Sequence, residues 1–434
     1  MHSFAYRKNE LSCEDVSLAT LASKVGTPCY VYSEGTIRHH YEGLTKALSG
    51  LNHRICYAMK ANSNLAILRL IHNLGGAFDL VSGGEIERVL AAGGTIHKSV
   101  FAGVGKSEAE INLALEHGIY SFHVESEPEL ERINRLAGEK GVTAPVALRI
   151  NPDVDAQTHA KITTGKSDNK FGIPYDHALD AYSYARGLEN LKIIGVQMHI
   201  GSQITKIDPF VAATKRMLPL VRKLKEKYAL EYFSIGGGIG IIYEPALASG
   251  TPDWWEEDGA ELLTPTRYGE ALVPLLQELD LEIFIEPGRF MTGNAGALLT
   301  KVEYVKTGKG KKFVIVDAAM NDLARPSMYD AYHEIVPLTR EAEAATITAD
   351  VVGPVCESGD CFAKGRTLPE VREGDTLAIL SAGAYGFVMA GRYNTRPLPP
   401  EVLVSGKEFH VINQRETFGQ ILANESIPEY LQSS

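Results

Sequence analysis

A lysine closes the alternating stretch Tyr57-Ala58-Met59-Lys60-Ala61-Asn62, and its neighbours Cys56, Ala58, Met59 and Ala61 are apolar or small. An amine placed there sits in a partly dry pocket, where its charged form is penalised and imine formation with a carbonyl compound becomes easier. Further along, Gly236-Gly237-Gly238 bares consecutive backbone amides. Such a run makes either a tight turn or a nest for an anion such as a phosphate. Glu286 ends the apolar stretch 282–285 and opens Glu286-Pro287-Gly288-Arg289. A carboxylate buried there needs a partner, and two are open: Arg289 nearby, or the protonated nitrogen of a pyridine-type ring. His199, in His199-Ile200-Gly201-Ser202-Gln203, is either a satisfied core histidine or a ring that stacks on an aromatic ligand.

These groups acquire meaning from the elements that carry them. Short apolar stretches recur at 53–58, 77–81, 98–102, 119–124, 145–150, 193–200, 232–235 and 282–285. Between them, 66–73, 84–92, 107–117, 127–138, 175–186, 209–228 and 270–279 carry apolar residues at helical steps. Eight alternating strand and helix units predict an α/β fold, a parallel (β/α)8 barrel. An open doubly wound sheet is the alternative, but its glycine-rich turn belongs near the start, and here the glycines follow the seventh stretch. Barrel enzymes keep their chemistry at the carboxyl ends of the strands, with phosphate bound by the loops after strands seven and eight. Lys60, Asp79, His199, the three glycines and Glu286 all stand at such ends. After Pro287 the pattern changes to strands without helices, at 298–305, 312–316, 348–352, 376–380 and 408–413. A mainly β domain of residues 1–32 and 286–434 is therefore expected beside a barrel of 33–285, with the stretch 28–32 contributing a strand to the former.

Composition narrows the function. A formal charge of −11 with no basic run of the required kind excludes a nucleic-acid surface. With 44% apolar residues and no stretch of membrane-spanning length, no membrane segment is expected. Residues 1–8 lack the apolar core of a secretory signal, so a cytoplasmic location is expected. The 5 cysteines form no disulfide framework, and the spacing of Cys356 and Cys361 fits no zinc pattern, so no metal is expected.

Taken together, the motifs around Lys60, Phe78-Asp79-Leu80-Val81-Ser82-Gly83-Gly84-Glu85, Asn151-Pro152-Asp153-Val154-Asp155-Ala156 with Thr158-His159, Lys170-Phe171-Gly172-Ile173, His199-Ile200-Gly201-Ser202-Gln203, Gly236-Gly237-Gly238, Glu286-Pro287-Gly288-Arg289 and Gly353-Pro354-Val355-Cys356-Glu357-Ser358-Gly359-Asp360 run nearly end to end. In this set the chain resembles the pyridoxal-phosphate-dependent decarboxylases of the alanine-racemase fold (fold type III). The resemblance implies pyridoxal 5'-phosphate as cofactor, bound covalently by Lys60. It further implies that His199 stacks on the ring and Glu286 holds its nitrogen, with Asp79, Pro287, Gly288 and Arg289 around it. Ser202, Gly236, Gly237, Gly238 and Tyr385 would hold the phosphate. Cys356 and Glu357 would reach into the site from the second subunit of a homodimer, so each site would be shared and a monomer inactive. One departure is Lys161, which stands where an aromatic residue is expected.

The resemblance is strongest to the branch acting on meso-2,6-diaminopimelate, which yields L-lysine and carbon dioxide as the last step of lysine synthesis. Charge counting agrees. The distal ammonium pairs with Glu357, and the distal carboxylate needs a cationic fork, supplied by Arg289 with Arg325, near Tyr329, with Tyr385 also expected at the substrate. Ornithine, arginine, lysine and carboxylated polyamines are the alternative substrates, and they give Arg325 no task. Cys356 is the candidate acid that returns a proton to the α-carbon; a buried cysteine is otherwise a small hydrophobe. A racemase would place an arginine rather than Glu286 at the ring nitrogen, and a non-catalytic binding protein would not need both Lys60 and Cys356. The segment 245–264 reads as an insertion before the eighth strand.

Overall fold

A computed structural model describes residues 1–155, 170–340 and 345–432. Thr158, His159 and Lys161 lie outside the described residues. The chain divides into two compact units, Met1 with Glu34–Ile242 and Thr251–Asn294, and His2–Ser33 with Tyr243–Gly250 and Ala295–Ser434.

The first unit is a closed barrel of eight parallel strands, His53–Ala58, Ala77–Leu80, Val100–Phe101, Ser121–Val124, Ala144–Asn151, Leu191–Gln197, Tyr232–Ser234 and Glu282–Ile285. Each pairs with the next, and the eighth pairs with the first through Ile283 with His53 and Ile285 with Ile55. The connecting helices begin where the sequence supplies side-chain caps. Asn64 accepts from Ala66 N, Ser82 from Glu85 N, and Ser107 forms a reciprocal capping box with Glu110. Cys56, Ala77, Val100, Ala147, Ile194, Tyr232 and Phe284, from seven different strands, form one buried cluster, which only a shared barrel interior allows. Arg54 plugs the amino end, its guanidinium 4.2 and 4.5 Å over the Tyr120 and Phe284 rings and paired with Glu282 at 2.8 Å.

The boundary expected after residue 285 falls later. Ala58 N donates to Pro287 O (3.0 Å) and Glu286 N to Gly236 O (2.9 Å), which ties 286–294 to the barrel. The segment read as an insertion is split: Leu247 N donates to Glu334 Oε2 within the second unit, whereas the short helix Pro252–Glu256 belongs to the first.

The second unit is mainly β. Its sheet runs Cys361–Pro369, Thr346–Val352, Lys312–Val316, Gly296–Thr307, Cys29–Ser33, Glu401–Ser405, Glu408–Asn413, with Thr376–Ile379 also on the long strand Gly296–Thr307. Cys29–Ser33 joins this sheet between two strands, antiparallel to one and parallel to the other. A three-stranded meander, Phe4–Arg7, Glu10–Cys13 and Val16–Ser17, and the helix Leu18–Val25 pack into the same core through Leu11, Leu18 and Leu21. Among the described residues no helix is long and apolar enough to cross a membrane.

Candidate active site

Lys60 occupies a single 3-10 turn, Met59–Ala61, immediately after the first barrel strand. Its Nζ donates to Asp79 Oδ2 at 2.8 Å, from the end of the second strand. Asp79 is buried and its other oxygen, Oδ1, has no hydrogen-bond partner among the described residues. The amine therefore stands at the barrel mouth while its counter-ion is hidden, an arrangement that fixes where the nitrogen points.

Glu286 is 6% exposed. Its Oε1 accepts from Ser234 Oγ at 2.5 Å and its Oε2 from Gln197 Nε2 at 3.0 Å. Burial, and secondarily the Asp79 carboxylate, push its pKa up. An arginine was one of the two partners open to Glu286, but Arg289 turns elsewhere and donates from Nη2 to Ser202 Oγ at 3.2 Å. A cation presented to Glu286 would favour its ionised form.

The glycine run is packed rather than loose. A Cβ on Gly236 would lie 2.3 Å from Met198 O, on Gly237 2.1 Å from Glu286 O, and on Gly238 2.5 Å from Gly201 O. Gly236 and Gly238 also have positive φ, 70° and 110°. These positions need glycine because backbone from the sixth and eighth strand ends closes directly on them. Gly237 N donates to His199 Nδ1 at 3.2 Å, so that nitrogen carries no proton and Nε2 does. His199 is partly exposed, yet burial together with the Arg149 and Lys60 cations keeps its pKa well below the ordinary value. The ring is neutral and fit for stacking. Gly288 lets the chain pass 3.0 Å from Ala58 O where a Cβ would stand.

The residues brought together here are thus Lys60, Asp79, His199, Ser202, Gly236, Gly237, Gly238, Glu286, Pro287, Gly288 and Arg289. The set fits pyridoxal phosphate: an amine for an aldehyde, a buried carboxylate for a ring nitrogen, a neutral imidazole for a ring face and bare amides for a phosphate. Four further residues packed around Glu286 were not singled out from sequence. Gln197 and Ser234 are the last residues of the sixth and seventh strands, and His123 and Tyr232 lie fully buried behind Glu286. Their signal was available as polar residues inside apolar strands. Among the described residues there is no group of three or more side chains able to hold a metal ion.

The other expected site residues belong to the second unit. Arg325 opens the short helix Arg325–Tyr329, its Nη1 on His333 Nε2 at 2.9 Å and its guanidinium 4.8 Å over the Tyr243 ring. His333 Nδ1 bonds the carbonyl of Leu380 at 2.8 Å, so Nδ1 is the donor and Nε2 is free to accept from the arginine. Tyr329 is half-buried, and Tyr385 sits in the left-handed region at φ 56°. Cys356 and Glu357 are exposed. Their loop hangs on Asp360, which accepts from Met320 N and Val355 N, both at 2.7 Å. A Cβ on Gly353 would fall 2.4 Å from that carboxylate.

A family profile described as the pyridoxal binding domain of pyridoxal-dependent decarboxylases matches residues 34–293. The chain is 48% identical over 98% of its length to a diaminopimelate decarboxylase of Vibrio cholerae, covering 99% of it. It is 51% identical over 96% to one from Neisseria meningitidis, covering 97%. A crystal structure of diaminopimelate decarboxylase from M. jannaschii in complex with L-lysine superposes with a TM-score of 0.90 at 37% identity, covering 99% of both chains. On this likeness over its whole length, and with the lysine, carboxylate and glycine cradle in place at the barrel mouth, the chain belongs to the diaminopimelate decarboxylases, a branch of the pyridoxal-dependent decarboxylases.

Proposed function

We propose that the protein converts meso-2,6-diaminopimelate to L-lysine and carbon dioxide, taking up one proton for each carbon dioxide released. The observation that carries the reading is the pairing of an accessible Lys60 amine on Asp79 with a buried Glu286 in one barrel end. Bound pyridoxal phosphate supplies an electron sink for the pair left on the α-carbon when the carboxylate departs.

The protein's own residues do the rest. Lys60 would hold the cofactor's aldehyde carbon through its Nζ, the position at which the substrate's α-amine would also bind. Glu286 holds a proton at the ring nitrogen, which keeps the ring electron-poor. His199 would lie against the ring face, and Ser202, Gly236, Gly237, Gly238 and Tyr385 would take the phosphate. Cys356 delivers the proton to the α-carbon. Glu357 takes the distal ammonium, and Arg289 with Arg325 and Tyr329 takes the distal carboxylate. The exposure of Cys356 and Glu357 supports the view that they serve the neighbouring site of a homodimer. A cytoplasmic location belongs to the same reading.

The test is carbon dioxide release from a panel of amino acids, with borohydride trapping of the modified lysine. Turnover of ornithine or lysine faster than meso-diaminopimelate overturns the substrate assignment. Full activity in Lys60→Ala overturns the chemistry.

A further inference from the structure

Behind Glu286 lies a chain of buried polar side chains that the reaction as described does not use. Tyr232 O–H donates to Ser121 Oγ at 2.8 Å, and the Tyr232 oxygen lies 2.9 Å from His123 Nε2. With its proton committed to Ser121, the phenol can only accept from His123, so Nε2 carries the imidazole proton. That leaves the bare Nδ1 facing Glu286 Oε1 at 3.4 Å, with no hydrogen-bond partner among the described residues. An ion pair does not explain this contact, because burial and the Lys106, Arg149 and Lys60 cations hold His123 well below the ordinary histidine pKa, hence neutral. A lone pair pointed at a carboxylate is repulsive; pointed at a carboxyl O–H it is an acceptor.

The relay can also run the other way. Ser121 Oγ has a second acceptor, Phe122 O at 3.4 Å, so Tyr232 is free to rotate its O–H onto Nε2. Nδ1 then carries the proton and donates to an ionised Glu286. Both arrangements satisfy the core groups, and they differ by one proton. The net change is one proton: neutral Glu286 with Nε2–H on His123 becomes ionised Glu286 with Nδ1–H, and the proton lost goes to solvent on the Lys60 side of Glu286, at the barrel mouth. The frame around the relay is stiff. Tyr232 stacks on Phe284 with centroids 4.2 Å apart, and a Cβ on Gly195 would lie 2.4 Å from the Tyr232 ring.

We propose that Ser121, Tyr232 and His123 form a reversible hydrogen-bond relay that presents Glu286 with an acceptor when it is neutral and a donor when it is ionised. They are positioning residues, matching the barrel core to either state of the group that faces the cofactor's ring nitrogen. The proposal rests on that reading of Glu286. The charged groups acting on Glu286 are Asp79 and Lys60 from the first two strand ends, Ser234 and Gln197 hydrogen-bond it, and Cys56, Tyr232 and Tyr268 sense its charge in turn.

The relay makes a signed prediction. Tyr232→Phe leaves Nε2 without a partner, and a bare acceptor costs less than a bare donor, so Nδ1–H is favoured and ionised Glu286 gains. Ser121→Ala acts in the same direction by freeing the Tyr232 O–H for His123, and it removes only one hydroxyl, so it keeps the test open if Tyr232→Phe does not fold. His123→Leu deletes the donor to the ionised form. The readout is the neutral-carboxyl infrared band of the full-length protein that Glu286→Gln abolishes, followed against pH. Its midpoint is expected to fall by about one unit in Tyr232→Phe and Ser121→Ala and to rise by about one unit in His123→Leu, the worth of one hydrogen bond to a charged group. Shifts of one sign in all three variants, or none beyond a few tenths of a unit, overturn the relay. Pyridoxal phosphate is added in a separate arm. If the band titrates as expected but is indifferent to the cofactor, the relay stands and the ring-nitrogen role of Glu286 falls.

Discussion

Substituting Gly237 by alanine perturbs the cradle at one atom. Its φ is not in the left-handed region, so the cost at issue is the close approach of the new Cβ. The new Cβ would stand 2.1 Å from the carbonyl oxygen of Glu286, and ordinary contact begins at 3.4 Å. The gap must therefore open by about 1.3 Å, and neither partner is a flexible side chain. Either the glycine run moves away from the place proposed for the phosphate or Glu286 moves away from Ser234 and Gln197. Overpacking of this kind costs about 1–3 kcal/mol of stability. Loss of one charge-assisted amide contact weakens cofactor binding roughly ten- to a hundredfold, and a displacement near 1 Å at the reacting groups lowers kcat/KM about a hundredfold. The assay is titration of pyridoxal phosphate into stripped protein by visible absorbance, with a thermal melt. Gly84→Ala is the control, because its new Cβ would meet only Ser82 Oγ at 3.9 Å in the first turn of a helix. If Gly237→Ala binds cofactor within twofold of the parent and melts within a degree of it, the close approach to Glu286 does not shape the cradle.

Other outcomes follow from the same geometry. Burial raises Glu85 from an ordinary carboxyl value of 4.5 to about 7, so the folded state holds a proton that the unfolded chain releases. Stability is complete below the unfolded value and is lost as pH rises through about 7. Glu85→Gln should match the parent near pH 4.5 and exceed it by at most about 3 kcal/mol at pH 8 in urea denaturation; a pH-independent difference would refute this. His333→Ala unseats Arg325 and should raise KM for the diacid about tenfold with a smaller change in kcat. An effect on kcat alone would contradict the carboxylate role of Arg325. Asp360→Ala releases the amides of Met320 and Val355 and should lower kcat about tenfold while leaving the absorbance of the bound cofactor unchanged, since Cys356 is the group displaced. A change in the cofactor spectrum would point to a different site for the damage.

Much of the barrel is legible along the chain. The first and eighth strands begin and end where the apolar stretches do, because each is buried on both faces and bounded by polar turns. The helix Glu34–Ala47 is harder to read, since Gly35, His39, His40 and Gly43 dilute its apolar stripe. Cys361–Pro369 hides because Lys364-Gly365-Arg366 looks like a loop; it is a bulge, with Gly365 at φ 57°. In the site, Lys60, Glu286 and the glycines announce themselves by residue type at strand ends. Gln197, Ser234, His123 and Tyr232 stand out only as polar residues inside apolar strands, and which of them face Glu286 depends on how the sheet closes into a ring.

The placement of Cys29–Ser33 bears on how the protein is made. All five of its residues are buried, yet its neighbours in the sheet are Gly296–Thr307 and Glu401–Ser405. During translation this ribbon waits for one neighbour until Thr307 has been made and for the other until Ser405 has been made. The eight barrel strands are complete once Ile285 has emerged, so that unit has the material to assemble on the nascent chain. The loop between Ser33 and Gly296 is then already condensed, which reduces the entropy lost when its ends meet. A chain cut short before Glu401 leaves this ribbon with one open hydrogen-bonding edge, an aggregation seed that the finished protein conceals.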